Sequence, residues 1–151
     1  MINPASNYGT VTIVGVGLIG ASLGLALKKA GVATKVLGVG RSKENLDQAQ
    51  KMGAIDGVVD LVEAAKQSDV IVFCMPVAQM RASFEAIEPH LDPRTMITDA
   101  GSTKGDVILA AKEVLGKKAC QFVPAHPIAG GAQHGASAAR VDLFQGKQTI
   151  V

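Results

Sequence analysis

Short apolar runs alternate along the chain with longer segments whose apolar residues recur every third or fourth position. That order predicts strands alternating with helices, the signature of βαβ units. The strand-like runs cover residues 11–16, 35–39, 57–59, 70–74, 96–98 and 121–123. Most are continuous and rich in β-branched residues, as strands buried on both faces of a parallel sheet should be. Between the first two, Ile19, Leu23, Ala26, Leu27 and Ala30 trace one helical face that Gly31 terminates. Ser42 is placed to cap a helix reaching about residue 52, and Asp60 and Glu63 have capping-box spacing at the head of a helix ending near Gln67. Pro76 stops the fourth run, after which Val77, Met80, Phe84, Ile87 and Leu91 line one helical side. A last helix is expected over residues 102–115, with Val107, Ala111 and Leu115 inward. The expected architecture is α/β: a doubly wound, mainly parallel sheet with helices on both faces. Residues 148–151 read as a strand only just begun, which suggests a domain edge with more polypeptide beyond it.

The first strand feeds directly into Gly15-Val16-Gly17-Leu18-Ile19-Gly20, and a helix follows at once. Strand, Gly-x-Gly-x-x-Gly turn and helix in this order predict a dinucleotide site of the Rossmann type. Gly15 permits the tight turn, Gly17 lets the main chain approach a pyrophosphate, and Gly20 allows the helix to pack closely on the strand. Leu18 and Ile19 complete the turn. The unpaired N–H groups and positive dipole end of the helix then favour an anion.

The bulk numbers narrow the partners. A length of 151 residues suits one domain, taken here as 1–151. The net charge of +2 is spread evenly, and one Tyr, four Phe and no Trp offer no stacking platform, so nucleic acid is not an expected partner. The longest apolar runs are strand-length and the first residues lack a signal-peptide pattern, so no membrane association and a cytoplasmic location are expected. Cys74 and Cys120 lie in apolar runs without metal-ligand spacing and are expected to be buried reduced thiols; no metal site is expected.

Where an NAD site would carry an acidic residue after the second strand, this chain has Val39-Gly40-Arg41-Ser42-Lys43. Arg41 can fork onto a phosphate and Ser42 can donate to it, which favours NADP, while Gly40 leaves room for NAD. Ligands of open parallel sheets collect at the carboxyl ends of the strands. Three loops meet that description. Met75-Pro76-Val77 offers an apolar wall for a cofactor groove. Residues 99–104 contain Gly101, Ser102 at an expected helix cap, and Asp99 with Lys104 as an ordinary ion pair. The third loop holds His126, the strongest general-base candidate because imidazole titrates near neutral pH. His90 is assigned to a helix end and His134 to no chemistry.

These segments together resemble the prephenate/arogenate (cyclohexadienyl) dehydrogenase family. The matching pieces are residues 15–22, residues 99–104, and His126-Pro127-Ile128-Ala129-Gly130 followed by Gly135 and Asp142-Leu143-Phe144, in family-like order and spacing. The resemblance implies NAD(P)-dependent oxidative decarboxylation of prephenate or arogenate in tyrosine biosynthesis, with His126 as the base and Ser102 bonded to the same substrate hydroxyl. It also implies that a C-terminal helical domain, absent from this chain, forms a homodimer and supplies an arginine for the substrate carboxylate. One departure is Gly131-Ala132, where many members carry a Ser/Thr-Glu pair; this leaves both substrates open and shifts the expectation toward arogenate. Two other readings share the Rossmann half: a β-hydroxyacid dehydrogenase or imine reductase, and a non-catalytic NADP(H)-sensing module.

Overall fold

A computed structural model describes residues 7–151. Six strands form one wholly parallel sheet in the order β3-β2-β1-β4-β5-β6, with β1 at Thr10–Val14, β2 at Lys35–Val39, β3 at Gly57–Val58, β4 at Val70–Phe73, β5 at Met96–Asp99 and β6 at Phe122–Val123. The order reverses between β1 and β4, and crevices for ligands open at such switch points. Helices α1 (Leu18–Ala30), α2 (Lys43–Lys51), α3 (Leu61–Gln67), α4 (Met80–Ile87) and α5 (Gly105–Leu115) provide the crossovers.

Alternation along the strands sends side chains to two cores. Ile71 and Phe73 of β4 and Ile97 of β5 meet Phe84, Ile87, Val107 and Leu115 from α4 and α5. On the opposite face, Ile13 and Val36 meet Ala21, Leu46 and Ala49 from α1 and α2. Phe84 is fully buried and stacks edge-on with Phe73 and Phe122, at centroid separations of 5.2 and 5.5 Å. Aromatic pairs favour that geometry because ring edges are positive and ring faces negative.

The expected boundaries hold except where one residue redirects the chain. β1 ends at Val14 rather than residue 16, because Gly15 turns with φ +95°. The helix expected through Leu91 ends at Ile87 and tightens into a 3₁₀ turn at Glu88–His90, where Pro89 cannot supply the next helical N–H. Gly31, in the left-handed region, closes α1, and Ser42 and Asp60 cap α2 and α3 by accepting the N–H groups of Asn45 and Glu63.

Two expectations need correction. The helix expected from Ser102 begins at Gly105, and the cap position is Lys104, so Ser102 is not a helix cap. Cys120 is exposed on a 3₁₀ segment, Gly116–Gln121, and is not a buried thiol. The strand at the end of the chain is real: β8 (Thr149–Ile150) pairs antiparallel with β7 (His126–Pro127). After β7, residues 128–143 cross to α1 and α2, where Ala136 is fully buried.

Replacing Phe84 by Ala should lower the unfolding free energy by about 3–5 kcal/mol, since it removes two ring pairs and leaves a cavity. Urea denaturation followed by circular dichroism checks this, and a loss below about 1 kcal/mol would show that the site collapses around the gap.

Candidate functional site

The glycine turn is shaped by backbone contact. A Cβ on Gly15 would stand 2.8 Å from the main-chain carbon of Cys74, in addition to the strain of its positive φ. A Cβ on Gly20 would stand 2.3 Å from the carbonyl oxygen of Gly15. Neither position accepts a side chain, and their packing holds the first turn of α1 against the end of β1. Gly17, at the N-cap of α1, has open space where a Cβ would be. Its main chain is therefore accessible to a ligand.

This turn forms the floor of a cleft of about 810 Å³. Gly15 and Gly17 line it together with Arg41 and Ser42 beyond β2, and with Met75 and Pro76 beyond β4. Asn45, Leu46, Gln79 and Ser83, which pattern reading did not single out, also line it, as does Cys74. The apolar wall at Met75 and Cys74 faces the polar rim at Arg41, Ser42 and Asn45. Such a cleft suits an elongated ligand with one charged end and one apolar end. Cys74 is half-buried in the cleft wall, and burial followed by the nearby Asp99 charge pushes its thiol up to about 12. It is a protonated, unreactive wall group at neutral pH.

Five expected cofactor residues sit differently. Gly20 packs beneath the turn, and the side chain of Leu18 lies near Gly131, where a Cβ would stand 3.4 Å from Leu18 Cδ2. Ile19 lines a second apolar groove, of about 420 Å³, with Val70, Val72 and Phe144 on the other side of the sheet edge. Val77 and Gly101 pack on one another instead of lining the cleft: a Cβ on Gly101 would stand 2.9 Å from Val77 Cγ2.

Asp99 organises the far side of the sheet edge. Its side chain is fully buried, and it accepts the N–H of Gly101 at 2.9 Å, the N–H of Ala125 at 3.1 Å and the ammonium of Lys104. Lys104 also donates to the carbonyl of Ala125 at 2.7 Å. The pair thus grips both main-chain groups of the residue before His126. This is more than an ordinary ion pair, and it explains why α5 starts late: residues 101–104 turn around Asp99 before the helix begins. His126 is half-buried in β7, held by pairing with Ile150. Ser102 is exposed between β5 and α5. Both stand just beyond the carboxyl ends of β5 and β6. Among the described residues, no group of three His, Cys, Asp or Glu side chains could hold a metal, and no helix is long and apolar enough to cross a membrane.

Comparisons with known proteins follow the same geometry. Residues 23–151 match the family model described as the nucleotide-binding domain of prephenate dehydrogenase. A prephenate dehydrogenase of Lactococcus lactis is 36% identical over 137 residues, covering 89% of this chain and 38% of that protein. A structure of Aquifex aeolicus prephenate dehydrogenase in complex with hydroxyphenyl propionate and NAD+ superimposes with a TM-score of 0.84 at 29% identity, covering 93% of this chain and 49% of that one. Synechocystis arogenate dehydrogenase gives 0.82 at 29% identity, covering 93% and 48%. The chain therefore spans less than half the length of these relatives.

Two outcomes are expected from this site. Lys104→Met should cost about 3 kcal/mol of stability in urea, because it leaves the Asp99 charge buried without its partner. With iodoacetamide at pH 8, mass spectrometry should find Cys120 modified and Cys74 spared; rapid modification of both would contradict the raised Cys74 thiol.

Proposed function

Because this chain belongs to the prephenate dehydrogenase family, as its nucleotide-binding domain, we propose that it serves the NAD(P)-dependent oxidative decarboxylation of prephenate or arogenate. The observation that carries the reading is an open glycine turn beyond β1 and, at the same carboxyl edge of the parallel sheet, a histidine beyond β6 whose preceding residue is clamped by Asp99 and Lys104. An enzyme of this class needs both. The cofactor must lie along the cleft, and a base must stand where the substrate's hydroxyl meets it.

The residues fit the cofactor. Gly15, Gly17 and the amides of Leu18 and Ile19 would hold the pyrophosphate at the head of α1, where N–H groups lack helical partners. Met75, Pro76 and Cys74 would bound the apolar part. Arg41 and Ser42 would take the adenosine ribose, and with no carboxylate in the Gly40 position we assign NADP as the preferred coenzyme, with NAD second. When bound, the coenzyme supplies the hydride acceptor. His126 takes the proton of the ring hydroxyl as that carbon is oxidised, and Ser102 donates a hydrogen bond to the same oxygen. Loss of carbon dioxide then leaves an aromatic ring. We place the groups that hold the substrate carboxylates, and the homodimer interface, in the additional length that the relatives carry.

His126→Asn keeps a polar side chain but removes the base. In the full-length protein, with prephenate or arogenate and NADP, it should lower kcat by about 10²–10⁴-fold while cofactor affinity stays within about twofold. Unchanged turnover would remove His126 from the mechanism. Residues 1–151 alone should bind NADPH more tightly than NADH and oxidise neither substrate appreciably. Tighter NADH binding in a fluorescence titration would overturn the coenzyme assignment, and robust turnover would overturn the placement of the substrate groups.

A further inference from the structure

Asn45 joins two parts of the molecule that pattern reading treats separately. It sits in the first turn of α2 and lines the cleft beside Arg41, Ser42 and Leu46. Its Oδ1 accepts the N–H of Ala136 at 3.1 Å, from the segment that crosses α1 and α2 after β7. That segment is well anchored. Ala136 is fully buried, and Arg140 donates its N–H to Ser22 Oγ at 2.9 Å. Gly135, with φ +83°, brings the main chain so close that a Cβ there would stand 3.1 Å from Asn45 Oδ1.

The contact decides which way the carboxamide faces. With its oxygen committed to a main-chain donor, the end left for the cleft is Nδ2, which carries two N–H donors and no acceptor. Ser42 is in a similar condition: its Oγ accepts the N–H of Asn45 at 3.2 Å, so its hydroxyl hydrogen is available to point outward. Arg41, exposed at the same rim, adds a forked donor. The rim therefore presents three donors at the head of a nine-residue helix. Lys43 reinforces its positive character and Glu44 is the one acidic neighbour in that turn. A phosphate, which only accepts, matches such a rim better than a ribose diol, whose hydroxyls also donate.

We propose that Asn45 is a specificity-determining residue of the cofactor cleft: its Nδ2 donates to the adenosine 2′-phosphate, and the crossing segment at Ala136 sets the orientation that makes this possible. The inference rests on the NADP reading above and deepens it. Asn45 is then a third recognition group beside Arg41 and Ser42, and its contact depends on a residue 91 positions away.

Two variants separate this role from a structural one. Asn45→Asp retains an acceptor for the Ala136 N–H but replaces the donor by a charge that repels phosphate. Asn45→Ala is neutral and removes the donor. Fluorescence titration of the protein and both variants with NADPH and NADH gives the ratio of the two dissociation constants. The preference for NADPH should fall by about tenfold or more in Asn45→Asp and by roughly threefold in Asn45→Ala, with the thermal midpoint of the Asp variant kept. If the ratio is unchanged in both variants while the parent protein prefers NADPH, the inference is overturned and the coenzyme reading stands. A ratio that moves only in the Asp variant would show a distant charge effect, and equal losses for both coenzymes in the Ala variant would show a purely structural role; each overturns the inference. A parent protein that prefers NADH overturns both readings together.

Discussion

The structure depends on one close approach, between the end of β1 and the start of α1. Gly15 lies against the main chain of Cys74, and Gly20 lies against the carbonyl of Gly15. No side chain fits either gap, so the corner can close only with glycine at both positions. That closeness carries the helix head to the sheet edge and leaves its unpaired N–H groups facing the cleft. Strand pairing reinforces it: Gly15 donates to Val39 and Cys74 donates to Val14, which ties the turn to both neighbouring strands. The switch in strand order between β1 and β4 then opens the crevice where these amides face outward.

A second constraint acts at the other half of the edge. A carboxylate without exposure is costly unless it is paired and its lone pairs are used. Asp99 meets that condition with two main-chain donors and one ammonium. The same bonds fix where β5 ends, where α5 begins and where the chain enters β7. One buried charge thereby links the loop bearing Ser102 to the strand bearing His126. The arrangement gives a loop of small and polar residues the definition that a hydrophobic core would otherwise have to supply.

The segment after β7 adds a tie across the molecule. It buries Ala136 between α1 and α2 and bonds to Asn45 and Ser22, so the rim of the cleft is assembled from residues far apart in the chain. The cleft thus combines a local device, the glycine turn, with a nonlocal one, the crossing segment. No single βα unit reaches from the apolar wall to the charged rim.

How much of this was legible depends on the range over which each feature is determined. The parallel alternation, the glycine turn, the caps at Ser42 and Asp60 and the stop at Gly31 follow from residues within a few positions of one another, and local sterics and hydrogen bonding decide them. The same is true of the rim at Arg41 and Ser42. Ser102 misled because a serine ahead of an apolar helical pattern is a good local cap, whereas Asp99 and Lys104 hold the turn open for three more residues. Cys120 misled because an apolar neighbourhood in sequence does not say which way a 3₁₀ segment faces. The Asp99–Lys104 ion pair was legible, but the bonds of Asp99 to Ala125 and of Asn45 to Ala136 were not: each depends on a main-chain partner brought near only by folding. The sequence by itself determined the strands, the helices and the glycine turn, since those are short-range consequences of residue shape. The tertiary structure alone decided which carboxylate is buried, which amide faces the cleft and which strand holds His126, because hydrogen bonds over such separations exist only once the sheet has closed.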